Sequence, residues 1–228
     1  MTSPLPTATQ PVLEFRAAAE FLAALDSDWA ALVDAVGVRP SVSQSTTEPY
    51  QHLIHAIAHQ QLHGKAAEAI LKRFKALYSV DADEIPSAAA ILATAPDLIR
   101  ACGFSTTKVA TIMGIAEQTI AGTVPTRAEA ETLDNDALIT RLTTLRGVGR
   151  WTVEIFLMHA LHRPDILPVD DFGVREGWRL LKQLDTQPKP KALAMIGSAW
   201  SPHRSTAAWY LWRAVDRAKA AQREQVTR

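Results

Sequence analysis

Cysteine occurs once in the 228 residues, at Cys102. A single thiol can build neither an internal disulfide framework nor a four-cysteine zinc or iron–sulfur site. Long apolar runs are missing too. A membrane-spanning helix needs about 18 or more consecutive apolar residues, and none is present, so no membrane partner is expected. The first ten residues, MTSPLPTATQ, lack the basic-then-apolar pattern of a secretory signal, and the expected location is cytoplasmic. No stretch alternates apolar and polar with period two, which leaves no strand to propose. Net charge is zero, so the chain as a whole has no electrostatic pull on a polyanion.

What is present is apolar content and an uneven spread of charge. Hydrophobic residues make up 47% of the chain, enough for a substantial core. Residues 141–228 hold 15 Lys and Arg against 8 Asp and Glu, a balance of +7, whereas residues 1–140 carry −7. The basic part is therefore a candidate anion-binding face, although a solvated helix surface often carries such an imbalance.

Apolar spacing of three and four predicts helices throughout. Phe15, Phe21, Leu22, Leu25, Trp29, Leu32 and Val33 suggest one or two helices before Gly37 and Pro40. The segment SVSQSTTEP reads as a polar connector. Leu53, Ile54, Ile57 and Ala58 mark a helix over 50–62, with Leu62 continuing its apolar face. A second runs over 65–80 with Ala66, Ala69, Ile70, Phe74 and Leu77 inward. Short helices follow at 86–93 and 96–101. Ser105 caps another, and one more starts near Thr126. Later helices are expected over 171–184, 188–196 and 204–223.

One stretch stands apart. Leu145-Arg146-Gly147-Val148-Gly149-Arg150-Trp151-Thr152 reads as a tight turn between a helix carrying Leu138, Ile139 and Leu142 and one carrying Val153, Ile155 and Phe156. Such a turn points the first N–H groups of the second helix outward, toward a phosphate oxygen, with Arg146 and Arg150 beside it. A Gly-x-Gly alone is weak, and a plain helical hairpin is the simpler alternative. Trp151 follows at once, however, and Asp170-Asp171-Phe172-Gly173-Val174 lies about twenty residues on.

Together, LRGVGRWTVEIFLMHAL and LPVDDFGVREGW resemble the signature of the helix-hairpin-helix DNA glycosylase superfamily, in its 3-methyladenine DNA glycosylase II branch. The resemblance covers roughly residues 50 to 215. It implies an all-α fold of two helical lobes with a DNA-binding cleft between them. One lobe would be a central bundle over 48–161, ending in the helix-hairpin-helix at about 136–161. The other would combine 11–47 with 162–228 and carry the catalytic aspartate. The implied activity is hydrolytic excision of alkylated bases, of the 3-methyladenine and 7-methylguanine type, from double-stranded DNA by a monomer. The alternatives are a non-catalytic DNA-binding module and a glycosylase for deaminated bases.

The resemblance also assigns residues. Asp171 matches the catalytic carboxylate, leaving Asp170 as the helix cap; from the residues alone the two are nearly even. Relatives that also cut the DNA backbone place a nucleophilic lysine where this chain has Trp151, so a monofunctional enzyme is expected. Trp151, His203 and Ile155 would line the base pocket. Gln61 would fill the gap left by the extruded base, with His63 alongside. Gly147, Gly149, Arg146 and Arg150 would meet the DNA phosphate, with a weaker phosphate role for Lys108. The main-chain carbonyls of Thr143, Leu145 and Val148 would hold a Na or K ion, and no other cofactor is implied. Trp178, Trp200, Trp209, Tyr210 and Trp212 read mainly as packing. His52, His55, His59 and His63 recur every three or four residues, but without a carboxylate or thiol in the segment they read as packed or solvent-facing.

Overall fold

A computed structural model describes residues 10–41, 47–62, 64–81 and 84–226. In chain order the helices are α1 (Gln10–Ala23), α2 (Ser27–Val36), α3 (Pro49–His59), α4 (Gly64–Leu77), α5 (Ala88–Leu92), α6 (Pro96–Ala101), α7 (Thr106–Ile120), α8 (Arg127–Thr132), α9 (Asn135–Leu142), α10 (Arg150–His159), α11 (Phe172–Leu181), α12 (Pro190–Ile196) and α13 (Arg204–Val226). The fold is all-α, and no strand occurs among the described residues. The polar connector SVSQSTTEP and His63 lie largely or wholly outside them.

Polar residues start most of these helices. Asp26 accepts the amides of Asp28 and Trp29, Ser105 that of Lys108, and Asp134 that of Ala137. Thr126 and Glu129 form a reciprocal capping box at α8. Each of these satisfies amides that the helix itself cannot.

The chain divides into two compact units, Ser45–His162 and Met1–Gln44 with Arg163–Arg228. In the first, α3 is central and packs on α4, α7 and α10, and α9 packs on α10. Its core holds Leu53, Ile54 and Ile57 of α3, Ile112 and Ile115 of α7, and Val153, Phe156 and Leu157 of α10. The inward stripe of α4 is Ala67, Ile70, Leu71 and Phe74; Ala66, Ala69 and Leu77 are exposed. The inward face is therefore rotated by part of a turn from the expected one, with Ile70 and Phe74 common to both. Leu62 is also exposed, against expectation. The helical period ends at His59, and Gln61 turns the chain with a φ of 55°.

In the second unit α11 crosses α13 closely, and α1, α2 and α13 pack together. Gly177 permits the crossing: a Cβ there would overlap the Leu211 carbonyl. Trp29, Trp178 and Trp200 form the aromatic centre, with ring separations of 5.1–6.3 Å. Each such pair adds about 0.5–1.5 kcal/mol beyond the area it buries. The strap that leads into α11 is held at two points. Ser205 Oγ donates to Arg163 O at 2.6 Å and accepts from Ile166 N at 3.0 Å. Arg204 grips Asp165 with two N–H bonds of 2.7 and 2.9 Å, and Ser201 Oγ donates to the same carboxylate at 2.8 Å.

Candidate functional site

The hairpin joins α9 to α10 within the Ser45–His162 unit. Leu145 and Val148 are buried and anchor the turn from beneath. Thr143 and Thr144 hydroxyls donate to the carbonyls of Ile139 and Arg141, covering the end of α9. The two glycines answer to different demands. Gly147 has a φ of +81°, and a Cβ there would lie 2.6 Å from Thr111 Oγ1, so fold and packing both exclude a side chain. Gly149 is extended, at φ −87° and ψ 165°, and a Cβ there would meet nothing within 4 Å. Among the described residues nothing crowds Gly149, so its smallness leaves the start of α10 open. The first bond of the α10 ladder runs from Val153 N to Gly149 O, which puts the Gly149 and Arg150 amides ahead of it, at the positive end of the helix dipole.

Arg146 is exposed beside the turn. Arg150 is engaged: its Nε donates to Glu154 Oε1 at 2.8 Å, and Glu154 is only 4% exposed. A guanidinium that neutralises a buried carboxylate offers an anion less net charge than Arg146 does.

A second turn, Gln60–Leu62, is tied to the hairpin. Gln60 Nε2 donates to Gly147 O at 3.2 Å. Lys108 Nζ donates to Ala58 O at 2.9 Å and Gln60 O at 2.7 Å. Lys108 therefore caps the end of α3 and is not a phosphate contact; its ammonium finds carbonyls that would otherwise lack helix partners. Burial lowers its pKa from the ordinary lysine value. Gln61 stands exposed at the tip of this braced turn, in the left-handed region. His63 lies outside the described residues.

Trp151, on the first turn of α10, is 41% exposed. Ile155, four residues on, is half-buried on the same helix face.

Asp171 and His203 belong to the other unit. Asp171 is half-buried at the N-cap of α11, where its Oδ1 accepts the Val174 amide at 2.8 Å and the Trp212 indole N–H at 2.9 Å. The helix cap expected of Asp170 is thus supplied by Asp171, because the cap bond reaches three residues forward and α11 begins at Phe172. Asp170 is exposed. Gly173 makes room: a Cβ there would sit 2.8 Å from Trp212 Cδ1 and 3.1 Å from Asp171 Oδ1. The His203 ring meets Phe21 edge-on at 5.1 Å, and its main-chain N–H donates to Trp200 O.

Three participants escape a reading of the residues alone. Trp212 lies on the apolar face of α13, and nothing local marks its N–H as a partner of Asp171. Gln60 and Lys108 act through contacts 87 and 48 residues away in sequence.

The chain matches the model of the HhH-GPD superfamily of base excision DNA repair proteins over residues 54–202. It is 44% identical over 193 residues to DNA-3-methyladenine glycosylase 1 of Schizosaccharomyces pombe, which covers 84% of each chain. A solved structure of the 3-methyladenine DNA glycosylase of that organism, in complex with abasic DNA, superposes with a TM-score of 0.79 at 43% identity, covering 86% of this chain and 95% of that one. The DNA-3-methyladenine glycosidase of Bacillus halodurans superposes with a TM-score of 0.75 at 29% identity, covering 86% and 88%.

Proposed function

The chain belongs to the HhH-GPD superfamily of base excision DNA repair proteins, and we propose that it is a monofunctional DNA glycosylase for alkylated bases of the 3-methyladenine and 7-methylguanine type. The observation that carries this reading is Asp171, a carboxylate that accepts a backbone and an indole N–H at the start of α11. The Schizosaccharomyces pombe relative solved on abasic DNA supports DNA as the partner, and the substrate proposed is double-stranded DNA that carries the damaged base. One chain would suffice for the reaction, and the cytoplasm remains the proposed location; among the described residues no helix is long and apolar enough to cross a membrane.

The chemistry follows from the residues. Breaking the N-glycosidic bond sends its electron pair to the base and leaves an oxocarbenium-like sugar. The carboxylate of Asp171 stabilises that charge, and water adds its oxygen to C1′ while its proton passes to the carboxylate or to solvent. An N-alkylated purine is cationic and departs neutral, so it needs little acid assistance. Trp151 offers no amine, and a Schiff base to the sugar cannot form there. Its exposed indole instead attracts the cationic base, an interaction of about 0.5–2 kcal/mol, with Ile155 beside it on the same helix face and His203 the proposed contribution of the other unit.

The Gly149 and Arg150 amides and the Arg146 side chain would hold a phosphate, with Gly147 shaping the turn and Arg150 contributing less than its formal charge. Gln61, and His63 beside it, would fill the space vacated by the extruded nucleotide. A monovalent cation under the turn would be held by the carbonyls of Thr143, Leu145 and Val148. Leu145 O already accepts Val148 N at 3.1 Å, and its second lone pair is compatible with ligation. The ion would add positive charge beneath the phosphate.

The test is incubation of the purified chain with methylated duplex DNA. Release of 3-methyladenine and 7-methylguanine, with strands intact until alkali treatment, is expected. DNA binding without base release would instead mark a non-catalytic module, and release of deaminated bases only would change the substrate class.

A further inference from the structure

The histidine series on α3 gains a carboxylate that its own segment lacks. Glu68, on α4, directs Oε1 to His59 Nε2 at 3.0 Å and to His55 Nε2 at 3.7 Å. The two imidazoles are four residues apart on one helix face and stack at 4.4 Å between centroids, 25° from parallel. One ligand atom from each of the three side chains lies within 4.8 Å of the others.

We propose that His55, His59 and Glu68 form a binding site for one divalent transition-metal ion of the Zn2+ or Ni2+ class, which staples α3 to α4 across the turn that bears Gln61. Two nitrogens and one carboxylate oxygen are the donor types such ions take. At metal–ligand bonds of about 2.0–2.1 Å, neighbouring donors stand about 2.8–3.0 Å apart in octahedral and about 3.3–3.4 Å in tetrahedral geometry. The His59–Glu68 separation already meets that spacing, and the His55–Glu68 separation exceeds it by a few tenths of an ångström, within reach of a rotamer adjustment of exposed side chains. The three residues are at least partly exposed, so an ion can enter and water can complete its coordination.

A dication bonds to both rings at once through their in-plane lone pairs, which a rotation of the two side chains out of their stack would turn toward a common point. The site flanks the Gln60–Leu62 turn from both sides, His59 ending α3 and Glu68 lying in the first turns of α4. Closing it limits how far those two helix ends can separate.

Calorimetric titration of the full chain with ZnCl2, and separately with NiCl2, tests the site. The expected result is one ion per chain with a dissociation constant in the micromolar range, weakened about tenfold or more in each of His55→Ala, His59→Ala and Glu68→Ala. All three side chains are surface groups, so the variants should keep the far-ultraviolet circular dichroism of the parent. Saturating Zn2+ should raise the thermal midpoint of the parent and slow amide exchange over residues 60–62, with neither effect in the triple variant. Stoichiometric binding that survives the triple alanine substitution, or no binding below millimolar Zn2+, would overturn the proposal. Base release is not a readout here, so failure of this site would leave the glycosylase reading untouched.

Discussion

Replacing Trp212 with phenylalanine removes the indole N–H that reaches Asp171 while keeping an aromatic ring. The ring stays on the inner face of α13 and Gly173 still faces an aromatic edge, but the N–H that reaches Asp171 Oδ1 at 2.9 Å is gone. Oδ1 keeps the Val174 amide at 2.8 Å, so the cap survives the loss of the indole bond. A hydrogen bond to a charged group contributes about 1.5–3 kcal/mol. If that energy serves to hold the carboxylate where positive charge develops on the sugar, the barrier rises by up to that amount. At about 1.4 kcal/mol per decade the chemical step slows roughly 10- to 100-fold. The assay is single-turnover release of 7-methylguanine from a methylated duplex at saturating enzyme, which removes binding and product release from the measured rate. In an Asp171→Asn background the same substitution should cost almost nothing more, since the group it serves is already altered. A parental rate in Trp212→Phe, or equal losses in both backgrounds, would refute the coupling of Trp212 to the carboxylate.

Other consequences follow from the same structure. Gly147→Ala should lower the thermal midpoint sharply, because the left-handed backbone alone costs about 1–2 kcal/mol and the Thr111 overlap adds to it. Gly149→Ala should melt like the parent yet bind duplex DNA more weakly, as a fluorescence anisotropy titration would register; unchanged affinity would remove the phosphate contact. Lys108→Met should lose about 1.5–3 kcal/mol of stability in urea denaturation, through two carbonyls left without their cation, and should also weaken lesion binding by loosening the Gln61 turn. His52 supplies a pH dependence. Burial, and then the charges of His55 and His159, press its pKa from 6.5 to about 4. The folded state thus favours the neutral ring: its contribution is complete above pH 6.5 and is lost as pH falls from there toward 4, roughly 3 kcal/mol in all. His52→Phe, which keeps a ring against Phe156, should flatten the urea midpoint between pH 7 and 5; an unchanged slope would place the acid sensitivity elsewhere.

What the residues disclosed without coordinates was local or periodic. Ser105 and Thr126 announce helices because a cap acts over three residues, and the apolar stripe of α3 is a single helix face. The hairpin glycines were visible, but not their division of labour, since Gly147 is fixed by Thr111, 36 positions away, and Gly149 by nothing among the described residues. The order of the aspartate pair was misjudged for the cap because one residue of register at the start of α11 decides it. Trp212 passed for packing because apolar periodicity is blind to an indole N–H. Lys108 read as a phosphate contact because a lysine at a helix start looks solvent-directed until the carbonyls of α3 are placed beneath it. Glu68 was invisible to the histidine series for the same reason: the helix that carries it folds back across a turn that no spacing rule spans.

Asp171→Asn tests the central claim most directly, because asparagine is as good a helix cap as aspartate and spares the fold while removing the charge. Duplex affinity and single-turnover base release should be measured on the same preparations. Affinity within a factor of about two of the parent, with release slowed at least 100-fold, is the expected outcome for a charge used only in the transition state. Release at the parental rate from a variant that binds DNA normally would contradict it.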